Sequence, residues 1–231
     1  MLFCSVIPHS PNIPAPGLIL WAWERPEDLR FLNPATTGVA YLAATATLQP
    51  DGHARFHYRQ QPLRVPGGTS LIPVVRIETP PHFVFPDPSE TASVVASIAE
   101  RREIKALQID YDARASEQPF YRAFLTELRK RTDRPIGITA LASWCENDAW
   151  FSSQPIAEAT PMLFRMGPRE SKDIRLAAPE CMTSIGLSTD ESWPSRRPST
   201  LHPGARIYVF NPHSWTKTDY GSVLKEVDNW R

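Results

Sequence analysis

A chain of 231 residues that balances 25 basic against 25 acidic side chains has no net charge to draw it to nucleic acid or an anionic membrane. Its hydrophobic fraction of 42% suffices for one sizeable core, and no apolar run reaches the roughly 18 to 20 residues of a membrane span. The 24 prolines point to irregular connections, and the three cysteines, Cys4, Cys145 and Cys181, form no CxxC pair and allow one bridge at most.

The apolar start from Met1 to Pro8 lacks a basic flank and a small-residue cleavage site. The chain as it begins therefore reads as cytoplasmic, or as periplasmic or secreted if that start lies within a longer precursor. Residues 1–17 read as an N-terminal extension and 18–231 as a single domain. Leu18 to Trp23 is the first strand, followed by a helix start at Pro26-Glu27-Asp28, with proline early and acids in the first turn. Gly38 to Thr47 alternates into a hairpin: Gln49-Pro50-Asp51-Gly52 is turn-forming and Ala54 to Tyr58 is the return strand. Leu71 to Ile77 is the third strand of the series. Ser89 to Arg102 is an amphipathic helix with Ser89 as N-cap and Val94, Val95 and Ile98 on its apolar face. Lys105 to Tyr111 is the fourth strand, and Gln118 to Arg131 a second helix with Phe120, Tyr121, Phe124, Leu125 and Leu128 at helical spacing. Ile136 to Ala142, Pro161 to Met166, Met182 to Leu187 and Arg206 to Phe210 complete the strands. The basic pairs Arg101-Arg102 and Lys130-Arg131 fall late in the two helices, where cations complement the dipole.

About eight strands separated by crossovers is the count of a closed parallel barrel. The fold expectation is thus an α/β, TIM-like (β/α)8 barrel, irregular and with short or missing helices in its C-terminal half. An open doubly wound sheet is the alternative, but no glycine-rich loop follows the first strand. No cofactor motif is present. His53 and His57 flank a hairpin strand with no third ligand, so no metal is expected.

The chemistry concentrates on the fourth strand, Leu107-Gln108-Ile109-Asp110-Tyr111-Asp112. Strand alternation sends Leu107, Ile109 and Tyr111 to the helices, and Gln108, Asp110 and Asp112 into the barrel. A polar row there is unusual, because inward barrel positions are mostly branched and apolar. Two carboxylates one pleat apart repel, which raises one pKa and suits an acid catalyst. The same alternation turns Arg76 and Glu78 inward on the neighbouring strand and predicts an Arg76–Asp110 pair, since an inward charge must be paired. A buried structural ion network is the competing interpretation of that pair. Other strand ends contribute Trp23, Glu24, Trp144, Glu146, Arg165, Asn211 and Trp215. Tryptophans at a polar rim suit sugar rings, whose C–H faces stack on indole while hydroxyls meet carboxylates.

Val74-Val75-Arg76-Ile77, Leu107 to Asp112 and Ile138-Thr139-Ala140-Leu141-Ala142-Ser143-Trp144 resemble a bacterial family, domain of unknown function 3142, with Trp21-Ala22-Trp23 fitting its opening strand. That resemblance implies a barrel of the glycoside-hydrolase type. Asp110 and Asp112 also resemble the D-x-D-x-E strand end of family 18 chitinase-like barrels. Arg114 stands where that pattern has its acid glutamate, which leaves Asp112, Glu117 or Glu146 to supply the proton, or a barrel that binds sugar without cleaving it.

The functional expectation is a glycoside-hydrolase-like enzyme acting on an oligo- or polysaccharide. Asp112 would be its acid, Asp110 a modulator, and Glu24 or Glu78 the second carboxylate. Arg76 and Arg165 would orient these groups, with Trp23, Trp144, Glu146, Asn211 and Trp215 binding substrate. The alternatives are a non-catalytic saccharide-binding barrel and an interaction module of an envelope assembly, which would show an exposed apolar patch. A carbohydrate is the expected partner, with no nucleic acid and no cofactor.

Overall fold

The computed structural model describes residues 12–146, 150–165 and 174–230. In chain order the strands are β1 (Leu18–Ala22), β2 (Glu27–Asp28), β3 (Thr37–Leu48), β4 (Ala54–Tyr58), β5 (Leu63–Arg64), β6 (Leu71–Glu78), β7 (Leu107–Asp110), β8 (Ile136–Leu141), β9 (Glu158–Met162), β10 (Ser184–Ser188) and β11 (Arg206–Phe210). Eight of them, β1, β3 and β6 to β11, run parallel. The ring closes because β1 pairs with β11 on one side and with β3 on the other. The fold is therefore a closed eight-stranded parallel barrel.

Two helices, α1 (Pro88–Ala99) and α2 (Gln118–Arg129), cover β6, β7 and β8. Val95, Tyr121, Phe124, Leu125 and Leu128 bury against Val75, Ile77, Leu107, Ile109 and Ile138, the outward set that strand alternation assigns. The α1 cap is Asp87, not Ser89: its carboxylate accepts the Ser89 N–H at 2.8 Å, and Pro88 opens the first turn. A short helix, α3 (Ala142–Glu146), follows β8 directly. Among the described residues, only the 3-10 turn Pro179–Cys181 lies between β9 and β10.

Three further sequence expectations change. Pro26-Glu27-Asp28 does not start a helix; Glu27 and Asp28 pair with Leu63 and Arg64 as a two-stranded ribbon. Glu27 is buried, taking the Arg25 guanidinium on one oxygen and the Trp215 backbone N–H on the other, which fixes the segment as extended. The sixth strand starts at Glu158, so the charged residue that reads as loop lies inside the barrel. The last strand is followed by a full helix, α4 (Lys217–Trp230), which the sequence reading omitted. Its start is a reciprocal cap in which Thr216 and Asp219 bond each other's backbone N–H groups.

The barrel interior is apolar on one side and polar on the other. Ile19, Trp21, Ala40, Ile72, Val74 and Tyr208 form one inward cluster. Opposite them stand Gln108, Thr139, Thr160 and Ser184, all buried. At the base, Glu158 accepts Arg206 at 2.7 Å and the Tyr208 hydroxyl at 2.6 Å, while Arg206 also donates to the Ile13 carbonyl at 2.8 Å. Ile13 is buried in the same inward cluster, so residues 12–17 of the expected extension pack across the foot of the barrel.

Candidate functional site

Parallel strands bring all their carboxyl ends to one rim, and inward side chains near that rim line whatever opens there. Here a cavity of about 410 Å³ is bounded by Trp21, Trp23, Thr139, Met162, Phe164 and Phe210, together with Arg76, Asp110, Asp112 and Arg165. A second hollow of about 320 Å³ adjoins it over Glu78, Thr79 and Pro80 and shares Arg76, Asp110 and Asp112. These three residues therefore sit where the two spaces meet.

The charged cluster follows from register. Arg76 and Asp110 are direct partners on the β6–β7 ladder, and their side chains approach to 3.9 Å, while Arg76 meets Glu78 at 3.3 Å. Asp110 is only 8% exposed and accepts the Thr139 hydroxyl at 2.7 Å. Burial pushes its carboxyl up to about 6; the Thr139 bond opposes this, the Asp112 charge adds to it, and Arg76 pulls it down. Asp112, beyond the strand end and exposed, is also raised by desolvation, with Arg76 opposing. Below Asp110, Gln108 accepts the Trp21 indole N–H at 2.8 Å, which locks the ring across the cavity floor. The Trp21 ring lies 5.2 Å from Tyr208 and 6.4 Å from Phe164, and Phe164 stacks on Phe210 at 5.7 Å and 7°.

Of the residues singled out from sequence, Asp110, Asp112, Arg76, Glu78, Trp23 and Arg165 come together around these hollows. The others do not. Glu24 is exposed and accepts the Gln60 and Gln61 backbone N–H groups at 2.9 and 3.1 Å, holding a loop after β4. Trp144 is turned into the helix-side core by α3, 5.1 Å from Trp150, because the chain leaves β8 as a helix and not as a loop. Glu146 closes that helix and lies outside the cavity lining. Trp215 is buried, donating its indole N–H to the Trp21 carbonyl at 2.8 Å. Asn211 is buried, accepting the His213 N–H and facing Asp219 of α4. Glu117 is also committed: it is buried and accepts the Arg114 N–H at 2.8 Å as a cap.

Sequence reasoning missed Trp21, Thr139, Met162, Phe164 and Phe210. Trp21, Thr139, Met162 and Phe210 hold alternate strand positions whose inward direction the register assigns. That signal was present in the alternation of β8 and β11. Among the described residues no group of His, Cys, Asp and Glu is arranged to hold a metal ion. Comparison of the chain with protein-family models, with curated proteins and with solved structures finds no match in any of the three.

Proposed function

We propose that the protein is a glycoside-hydrolase-like barrel that takes an oligo- or polysaccharide across its mouth and cleaves it beside Asp112. The observation that carries this reading is a carboxylate pair and an aromatic wall facing one cavity: Asp110 and Asp112 at one side, Trp21, Trp23 and Phe210 at the other. Indole and phenyl faces take sugar C–H faces, while hydroxyls bond to the polar groups that remain. Cleavage requires one protonated carboxyl to give its proton to the leaving oxygen and a negative group to meet the oxocarbenium charge, with water taking up the sugar. In this reading Asp112 is the donor, its proton affinity raised by desolvation, Asp110 is its modulator, Glu78 is the second carboxylate, and Arg76 orients Glu78 and Asp110. The barrel is taken as irregular on its C-terminal side, with short or missing helices after β9 and β10.

A saccharide-binding barrel without turnover is the second reading. It is favoured by Arg114 standing in place of a glutamate, and by Glu117 being already occupied as a cap.

A thermal-shift screen of neutral and acidic oligosaccharides against the parent and Asp112→Asn, with product analysis of every hit, tests both. Hydrolysis predicts that a sugar stabilises both proteins and that Asp112→Asn loses about 100-fold or more in rate. Stabilisation without products from either protein selects the binding barrel. A screen in which no sugar stabilises the parent removes the saccharide reading.

A further inference from the structure

Arg165 is built unlike the other arginines around the barrel. It follows β9 in the left-handed region, with φ 54°, and is one of two non-glycine residues with positive φ among the described residues. A side chain there costs on the order of 1 kcal/mol, and such strain persists only where the surroundings impose it. Here they do: the Glu191 carboxylate clamps the Arg165 backbone N–H with both oxygens, at 2.9 and 3.1 Å. The guanidinium then lies over the Phe210 ring, 5.4 Å from its centroid, and Phe210 is itself stacked on Phe164. Among the described residues no carboxylate lies within ion-pair distance of that guanidinium. Arg76, by contrast, meets both Glu78 and Asp110.

Arg165 follows β9, two positions around the ring from β7 and its acids, and carries its guanidinium over a ring that belongs to β11. β11, which carries Phe210, lies four positions around the ring from β7, which carries Asp110. Among the described residues, the mouth thus carries the Asp110, Asp112 and Glu78 carboxylates on the β6–β7 side and, over Phe210, a guanidinium with no carboxylate in ion-pair contact. The ring contact holds the guanidinium at the cavity, and a guanidinium can donate its N–H groups in pairs, the arrangement that matches a carboxylate or another oxyanion.

We infer that the cleft selects an anionic saccharide, a sugar bearing a carboxylate or a sulfate ester, and that Arg165 reads that group while the glycosidic oxygen faces Asp112. This rests on the saccharide reading above and narrows its substrate class. A neutral sugar would leave the Arg165 charge unused against the aromatic wall. An anionic one would pair with it in the cavity that Asp110 and Asp112 also line.

The test is calorimetric binding of uronate oligosaccharides, each paired with its carboxyl-reduced neutral counterpart, and of sulfated oligosaccharides, to the parent, Arg165→Gln and Arg165→Lys. The parent should bind the charged member of a pair about tenfold tighter or more, as a charge-assisted bond implies. That preference should fall close to one in Arg165→Gln and be partly restored in Arg165→Lys, which keeps the charge but not the fork. The stronger of the uronate and sulfate arms identifies the anion. Equal binding of charged and neutral members by the parent overturns the inference and leaves the saccharide reading standing. An undiminished preference in Arg165→Gln overturns the role of Arg165. If no member binds the parent, the saccharide reading fails and this inference with it.

Discussion

At the scale of single residues, burial holds the Asp110 carboxyl above its ordinary value. Its folded value of about 6 stands above the 3.8 of an unconstrained aspartate, so the folded protein holds this proton more tightly than the unfolded chain does. The contribution is absent below 3.8, where both states are protonated. Stability is lost as pH rises from there to about 6 and stays reduced above it. The shift corresponds to about 3 kcal/mol as an order of magnitude. Asp110→Asn removes the ionisation but keeps an oxygen for the Thr139 hydroxyl. It should therefore melt above the parent at pH 8 and level with it near pH 4, read from calorimetric scans across that range. Identical pH profiles for the two proteins would mean that the Asp110 carboxyl titrates normally.

At the scale of elements, the cavity floor depends on a glycine. A Cβ at Gly186 on β10 would lie 2.9 Å from the Trp21 ring and 3.4 Å from the Pro161 carbonyl. Backbone and indole meet because no side chain intervenes, which lets Trp21 lie across the barrel and reach Gln108. Gly186→Ala should cost about 1 to 3 kcal/mol through overpacking and shift the tryptophan emission as the ring is displaced. Unchanged emission and an unchanged urea midpoint would show that Trp21 is not wedged against β10. The same packing links element to function, since a tilted Trp21 would narrow the cleft where a sugar ring is proposed to stack.

At the scale of the whole molecule, two different fastenings tie distant parts of the chain together. One is the ladder of β1 with β3 and β11; the other is the Cys145–Cys181 disulfide, which joins α3 to the turn before β10 across 36 residues. Both cysteines are fully buried. Closing a loop of that length removes about 3 to 4 kcal/mol of chain entropy from the unfolded state. The double variant Cys145→Ala/Cys181→Ala should lower the urea midpoint accordingly, and reductant should then leave its midpoint unmoved while lowering that of the parent. If reductant added during unfolding leaves the parent midpoint unchanged, the bridge does not contribute to stability.

The eight-strand count, the hairpin Ala54 to Tyr58, the helices over β6 to β8 and the Arg76–Asp110 pairing were all legible in the sequence. Each rests on a local period, and alternation along a strand is enforced by the backbone itself. The period also held for Val75 and Ile77, which turn outward and leave Arg76 and Glu78 at the rim. What lay beyond a strand end was not legible. Trp23 reached the cleft, whereas Trp144 and Trp215 went into the core, because the chain next folds into a helix in one case and is tied to Glu27 in the other. Helix α4 had its periodicity in Tyr220, Val223 and Val227, a signal present but unread. The disulfide partners could not be paired from spacing, since only the fold brings their Cα atoms to 5.9 Å. The sequence alone determined which strands exist and which of their side chains share a face, because those follow from neighbouring residues. The tertiary structure decided which faces meet across the barrel, how far Asp110 is desolvated and which arginine meets carboxylates, because burial and pairing depend on residues distant in the chain.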